Sequence, residues 1–304
     1  MISSRPTHAT IYREVIGIQN RMAPAEVAAL PLLGGQMPWG ARWLIWKTRR
    51  LMRCGHPTPR EFAREDLSTS ASLYRGKNGV RNMLVVFCGN AGRPMLPVPA
   101  FLQFIPDNLC DVLLLRDPSG RAFLDGVPGS GSDLGESLSV LGDKTRISSY
   151  RSVRTLGTSS GGAASLYAGL ILNAEIALCV AGQHPSLSRR AGSKGGADKL
   201  DNLVSDRLGR SRTQLLCLRA EAEPKDAEGA RSLLERLPNG RELVVPGTSR
   251  HGILCELALQ GNRFRPWRRN PLSLLFADVL LAEDGPACVR SPSVQKFYRA
   301  PTRG

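Results

Sequence analysis

The chain has 304 residues, 42% of them apolar and 22% charged, which suits one large α/β domain with appendages and a sizeable core. Its net charge of +15 is concentrated in residues 1–80 and 262–304, and such basic flanks can steer toward nucleic acid, anionic lipid or an acidic glycan. No apolar run approaches the ~20 residues of a membrane span, no basic-then-apolar leader opens residues 1–18, and the seven cysteines are scattered without C-x-x-C or H-E-x-x-H. A cytoplasmic protein with reduced thiols and neither metal nor cofactor is expected.

Residues 1–79 show no α/β rhythm and read as a basic N-terminal extension. Pro31 to Pro38 is a Pro/Gly-rich break. Trp39 to Met52 reads as a basic amphipathic helix carrying Trp39, Trp43 and Trp46. The expectation is that it packs this tryptophan face onto its own domain, with contact to a membrane surface as the alternative.

A regular alternation starts at residue 80. Apolar strands are predicted at 83–88, 112–115, 153–156, 176–180, 214–218 and 242–245, mostly with helix-length segments between them. That pattern predicts a mostly parallel sheet flanked by helices over residues 80–285, followed by a flexible tail over 286–304.

After the strand Met83 to Cys88 comes Gly89-Asn90-Ala91-Gly92, small residues that let the backbone approach a carbonyl closely. The glycine cluster from Gly126 to Gly135 fails as a dinucleotide loop, because its spacing is G-x-G-x-x-x-G and it stands far from the preceding strand. It is expected to line the site as a loop. No G-x-x-x-x-G-K-[ST] is present.

Gly157-Thr158-Ser159-Ser160-Gly161 lies between an apolar strand and a small-residue helix from Gly162 to Leu172. A G-x-S-x-G that joins strand to helix lifts its serine out of the sheet on a tight turn. The serine then needs a base and an orienting acid in the order Ser, Asp/Glu, His. Of four histidines, only His184 and His251 follow Ser159. His184 stands too soon after its strand and is expected near the pocket rim. His251 follows the last strand and the Pro246-Gly247 turn, so it is the candidate base. The acid is Asp226 or Glu223, from the loop between the Leu215–Leu218 strand and a helix read as Glu228 to Leu237. On that boundary Asp226 could be an ordinary N-cap. Ser160 and the Asn90–Ala91 region are the candidate oxyanion amides. Ala191 to Gly196, with Arg189, Arg190 and Lys194 nearby, is a candidate lid loop.

These stretches resemble the α/β-hydrolase superfamily. More closely, they resemble a bacterial branch found with glycan or capsule biosynthesis proteins. The likeness runs over roughly residues 80–280. It is carried by Phe87–Gly92, Arg116-Asp117-Pro118, Gly126–Gly131, the turn at 157–162 and Ala181-Gly182-Gln183. The branch places its acid four residues before a helix alanine, which fits Asp226 and Ala230. Its histidine leads a helix that ends at glycine, which fits His251 and Gly261. Two positions depart from the branch: Ala181-Gly182-Gln183 stands for Ser-Pro-Gln, and Gly252 for an asparagine after the histidine. The resemblance implies a serine hydrolase or acyltransferase acting on an acyl ester or thioester, with an acylated glycan as candidate substrate. A non-catalytic binding module of the same fold is the rival. Nucleic-acid binding rests on charge alone, since no recognition motif accompanies it.

Overall fold

The computed structural model describes residues 14, 16–30, 39–77, 79–188, 194–260 and 270–281. The Pro31–Pro38 break, residues 189–193 of the candidate lid loop, Gly261 and the tail 286–304 lie outside the described residues. In chain order the main elements are α1 (Pro24–Ala29), α2 (Trp39–Gly55), β1 (Ala63–Asp66), β2 (Ala71–Arg75), β3 (Asn82–Phe87), α3 (Val98–Leu102), β4 (Cys110–Leu115), α4 (Leu134–Thr145) and β5 (Ser152–Thr158). These continue into α5 (Gly162–Ile171), β6 (Ile176–Val180), α6 (Lys194–Asn202), β7 (Gln214–Ala220), α7 (Pro224–Leu234), β8 (Arg241–Val245), α8 (Ile253–Gln260) and α9 (Pro271–Leu274).

The strands form one eight-stranded sheet in the order β1-β2-β4-β3-β5-β6-β7-β8. β1 and β2 run antiparallel at one edge, and β3 to β8 are mutually parallel. All six predicted strands are present. They were visible because a parallel strand covered on both faces is a near-continuous apolar run. Along β3, Leu84 and Val86 enter one core layer with α2, α3 and α8, while Met83, Val85 and Phe87 enter the other with α4 and α5. Fully burying each such side chain contributes about 1.5–3 kcal/mol.

The division at residue 79 is corrected by this topology. β1 and β2 lie before it yet belong to the sheet, and Ala71 and Leu73 are fully buried in its core. β1 is the polar edge strand Ala-Arg-Glu-Asp, mostly exposed, so it gave no apolar signal. α2 is also part of the domain, since Leu51 and Met52 join the core layer of Leu84 and Val86.

The expected role of the tryptophans on α2 is corrected as well. The helix buries Ala41, Leu44, Ile45, Thr48, Leu51 and Met52, and that aliphatic stripe already supplies its i, i+3, i+4 face. Trp39, Trp43 and Trp46 are left on the outside.

The turn after β5 sits where backbone meets backbone. A Cβ on Gly157 would stand 2.0 Å from the Gly161 carbonyl oxygen, and one on Gly161 would stand 2.4 Å from the Phe87 carbonyl oxygen. Neither oxygen can move without breaking the sheet or the turn. Gly161→Ala is therefore expected to destabilise the fold by about 3 kcal/mol. In a thermal melt that reads as a Tm lowered by roughly 5–10 °C.

Candidate active site

Ser159 begins a short 3-10 turn between β5 and α5. Its φ is +53°, a left-handed conformation that is uncommon for a residue with a Cβ. This strained link turns the chain sharply from strand to helix and presents the Ser159 hydroxyl at the end of the sheet. It is held by packing: Gly162 and Gly182 approach each other so closely that a Cβ on either would meet the other's Cα within 2.8 Å.

His251 stands in the loop between β8 and α8. Its Nε2 accepts from Ser159 Oγ at 2.9 Å, and its Nδ1–H donates to Asp226 Oδ1 at 2.7 Å. The tautomer follows from the partners, because a carboxylate can only accept and the hydroxyl then donates to the other nitrogen. The His251 side chain is half exposed, whereas that of Asp226 is only 3% exposed. The hydrogen bond to Asp226 raises the His251 pKa above its ordinary value, against the lowering effect of burial, and the charges of Asp226 and Glu223 add to the rise.

The two candidate acids occupy different places at the start of α7. α7 begins at Pro224, four residues earlier than read, so Asp226 lies inside its first turn and is not the N-cap. Glu223 is the cap and accepts from Lys225 N–H. Proline at the first helical position was the available signal for this start. Glu223 lines the cavity beside Ser159 but makes no hydrogen bond to His251. The helix N-terminus compensates part of the cost of burying the Asp226 carboxylate.

The Gly89–Gly92 loop reaches this site. A methyl group on Gly89 would stand 3.3 Å from Ser159 Cβ, and Asn90 lines the cavity. Among the described residues, neither the Asn90 nor the Ala91 amide donates to a backbone carbonyl. The Ala91 carbonyl is held by Asn20 Nδ2 at 3.1 Å, and the Asn20 carbonyl in turn accepts from Arg116 at 2.7 Å. The N-terminal segment thus braces the loop, a link with no sequence signature. Ser160 also lines the cavity, and as the second residue of its turn it precedes the first intrahelical amide bonds.

The cavity measures about 430 Å³ and is completed by Ala122, Gln183, Pro185, Ser188 and Lys225, among others. Sequence reasoning missed Ala122, Pro185, Ser188 and Lys225. Two expectations for its surroundings are corrected. The glycine cluster 126–135 does not line it: Gly126 and Gly131 pack against the start of α4, where an added Cβ would clash with Asp133 or Ser137. His184 is not on the rim but 99% buried behind it. There it bonds Ser186 through Nδ1 and lies beside Asp201, which also holds Tyr167 and Arg236. Burial lowers the His184 pKa. Among the described residues no group of His, Cys, Asp and Glu is placed to hold a metal ion, and no helix is long and apolar enough to cross a membrane.

No protein-family model matches the chain, and no curated protein matches it. Similar solved structures include dienelactone hydrolase from Anabaena variabilis, at 16% identity and a TM-score of 0.45 over 67% of this chain and 97% of that one. Est1E from Butyrivibrio proteoclasticus is 12% identical, with a TM-score of 0.42 over 67% and 99% of the two chains. A 2,6-dihydroxy-pseudo-oxynicotine hydrolase is 12% identical, with a TM-score of 0.46 over 92% and 93%. The chain's own strand order, its strand–turn–helix at Ser159 and its histidine loop after the last strand make the fold α/β-hydrolase-like.

Proposed function

We propose that this protein is a serine hydrolase that cleaves a carboxylic ester or thioester through an acyl-enzyme. The observation that carries the reading is the continuous chain Ser159–His251–Asp226, at 2.9 and 2.7 Å, opening into a cavity. Ser159 Oγ attacks the acyl carbonyl while His251 Nε2 takes its proton. The imidazolium, stabilised by Asp226, then protonates the departing alcohol or thiol. Water, deprotonated by His251, attacks the acyl-Ser159 ester and releases the acid. If a sugar hydroxyl takes the place of that water, the same steps give acyl transfer. The amides of Ser160 and of the Asn90–Ala91 turn are the donors suited to the tetrahedral oxyanion.

The cavity lining is mixed. Asn90, Ser160, Gln183, Ser188, Glu223 and Lys225 offer donors and acceptors beside the apolar Ala122, Ala181 and Pro185, so both the sugar and the acyl parts of an acylated glycan find contacts there. The buried free thiols Cys88, Cys110, Cys179 and Cys217 suit a reducing compartment, and we place the activity in the cytoplasm.

The test is labelling by a fluorophosphonate probe. Wild type is expected to label, and Ser159→Ala and His251→Ala are not. A folded wild type that refuses both the probe and a panel of acyl esters would sink the reading.

The brace on the glycine loop gives a separate expectation. Asn20→Ala removes the donor to the Ala91 carbonyl, so the loop amides lose their fixed aim. Activity should fall roughly ten-fold in kcat with KM little changed, because positioning and not substrate affinity is lost. Steady-state kinetics on one acyl ester would check it. A rise in KM with kcat intact would instead place Asn20 in substrate binding.

A further inference from the structure

We propose that the outer face of α2 docks the protein on an anionic membrane surface. The inner face of this 17-residue helix is spent on the core. The outer face carries Trp39, Trp43 and Trp46, which are 78%, 41% and 52% exposed. Their burial is not what holds the fold together, and they are the largest exposed side chains of the described residues. Arg42, Lys47, Arg50 and Arg53 are exposed on the same helix, and residues 39–55 contain no acid.

The basic groups and the rings form one surface. Lys47 Nζ stands 5.0 Å from the Trp43 ring centroid, and Arg50 Cζ stands 5.7 Å from that of Trp46. Arg49 is used differently, since it donates to the Val27 and Ala28 carbonyls and fastens α1 to α2. A row of indoles with cations beside them matches the headgroup region of a bilayer. The amphipathic rings settle at the boundary, and the cations meet phosphate. Charge complementarity selects anionic lipid, and the exposed indoles favour an interface over a polyanion held by charge alone. The inner face of α2 packs against α8 in the core.

The experiment is sedimentation of the full chain with phosphatidylcholine vesicles, with and without phosphatidylglycerol. Tryptophan emission is followed in a Trp267→Phe background, so that α2 supplies the whole signal. Binding is expected only to the anionic vesicles, weakening with salt, with a blue-shifted emission that brominated lipids quench. Trp43→Ala/Trp46→Ala should weaken binding more than roughly ten-fold. Each charge lost in Arg50→Gln or Arg53→Gln should cost roughly five-fold. These positions are exposed, and an unchanged circular-dichroism melt shows that the variants fold. The proposal is overturned if anionic vesicles do not bind at low salt. It is equally overturned if the double tryptophan variant binds as well as wild type. Two other outcomes also overturn it: nucleic acid binding in place of vesicles with no shift in emission, or wild-type self-association, without lipid binding, that the tryptophan variant abolishes. The readout needs no turnover, so its failure leaves the hydrolase reading intact.

Discussion

Replacing Ser159 by alanine is expected to lower kcat for an acyl ester by a factor on the order of 10⁵–10⁶, with little change in the melting curve. In the proposed mechanism this hydroxyl, hydrogen-bonded to His251, forms the covalent intermediate. Without it, the oxyanion amides alone retain modest catalysis over water. His251→Ala should cost about as much, because a neutral serine with no base to accept its proton is a poor nucleophile. Ser159 and His251 act as one unit, so the double variant should be scarcely worse than either single one. Costs that multiply in the double variant would show that the two side chains act separately, whatever their 2.9 Å contact. The expected stability is asymmetric. Ser159→Ala removes a partly exposed hydroxyl, whereas His251→Ala leaves the buried Asp226 carboxylate without its hydrogen-bond partner. The histidine variant should therefore melt at the lower temperature.

The parts of this molecule that could be read from sequence share a physical basis. A parallel strand leaves an apolar run, and a strand-to-helix turn leaves glycines where no Cβ fits, so β3 to β8 and the turn at Ser159 were legible. His251 was found by elimination among few histidines and by its place after the last strand. The missed features lack a local signal. β1 is polar because it forms an exposed edge, so its membership of the sheet is decided by its partner strand. The brace from Asn20 to Ala91 spans 71 residues, and nothing near either position announces it. The tryptophans of α2 misled because aromatic residues suggest a core, while Leu44, Ile45, Leu51 and Met52 had already filled the inward stripe. The choice of Asp226 over Glu223 came from the resemblance, while the start of α7 was read too late: Pro224 marks it, but the weaker amphipathic pattern further along drew the reading to Glu228.

The second large effect falls on the proposed acid, Asp226, which holds His251 Nδ1. Asp226→Asn is expected to lower kcat by about 10⁴, while Glu223→Gln should cost less than roughly ten-fold. The neutral amide keeps the shape of the carboxylate but can offer its NH₂ to Nδ1, which puts the imidazole proton on Nε2, facing Ser159. The base then points a proton at the nucleophile. The pH profile supplies an independent sign. In wild type the Asp226 carboxylate stabilises the imidazolium and lifts the His251 pKa above its ordinary value. His251 must be neutral to act, so wild-type kcat/KM should rise with pH through an inflection above the usual histidine value of about 6.5. Asp226→Asn removes both the carboxylate's hydrogen bond, the largest cause of the lift, and the Asp226 charge, leaving burial, which acts downward, against the smaller raising effect of Glu223. The residual activity of Asp226→Asn should therefore reach its plateau at lower pH than wild type. Glu223→Gln, which removes only the smallest of the raising charges, should move the inflection slightly in the same direction. The converse pattern, a large loss and a shifted inflection in Glu223→Gln with Asp226→Asn nearly normal, would transfer the acid's role to the helix cap.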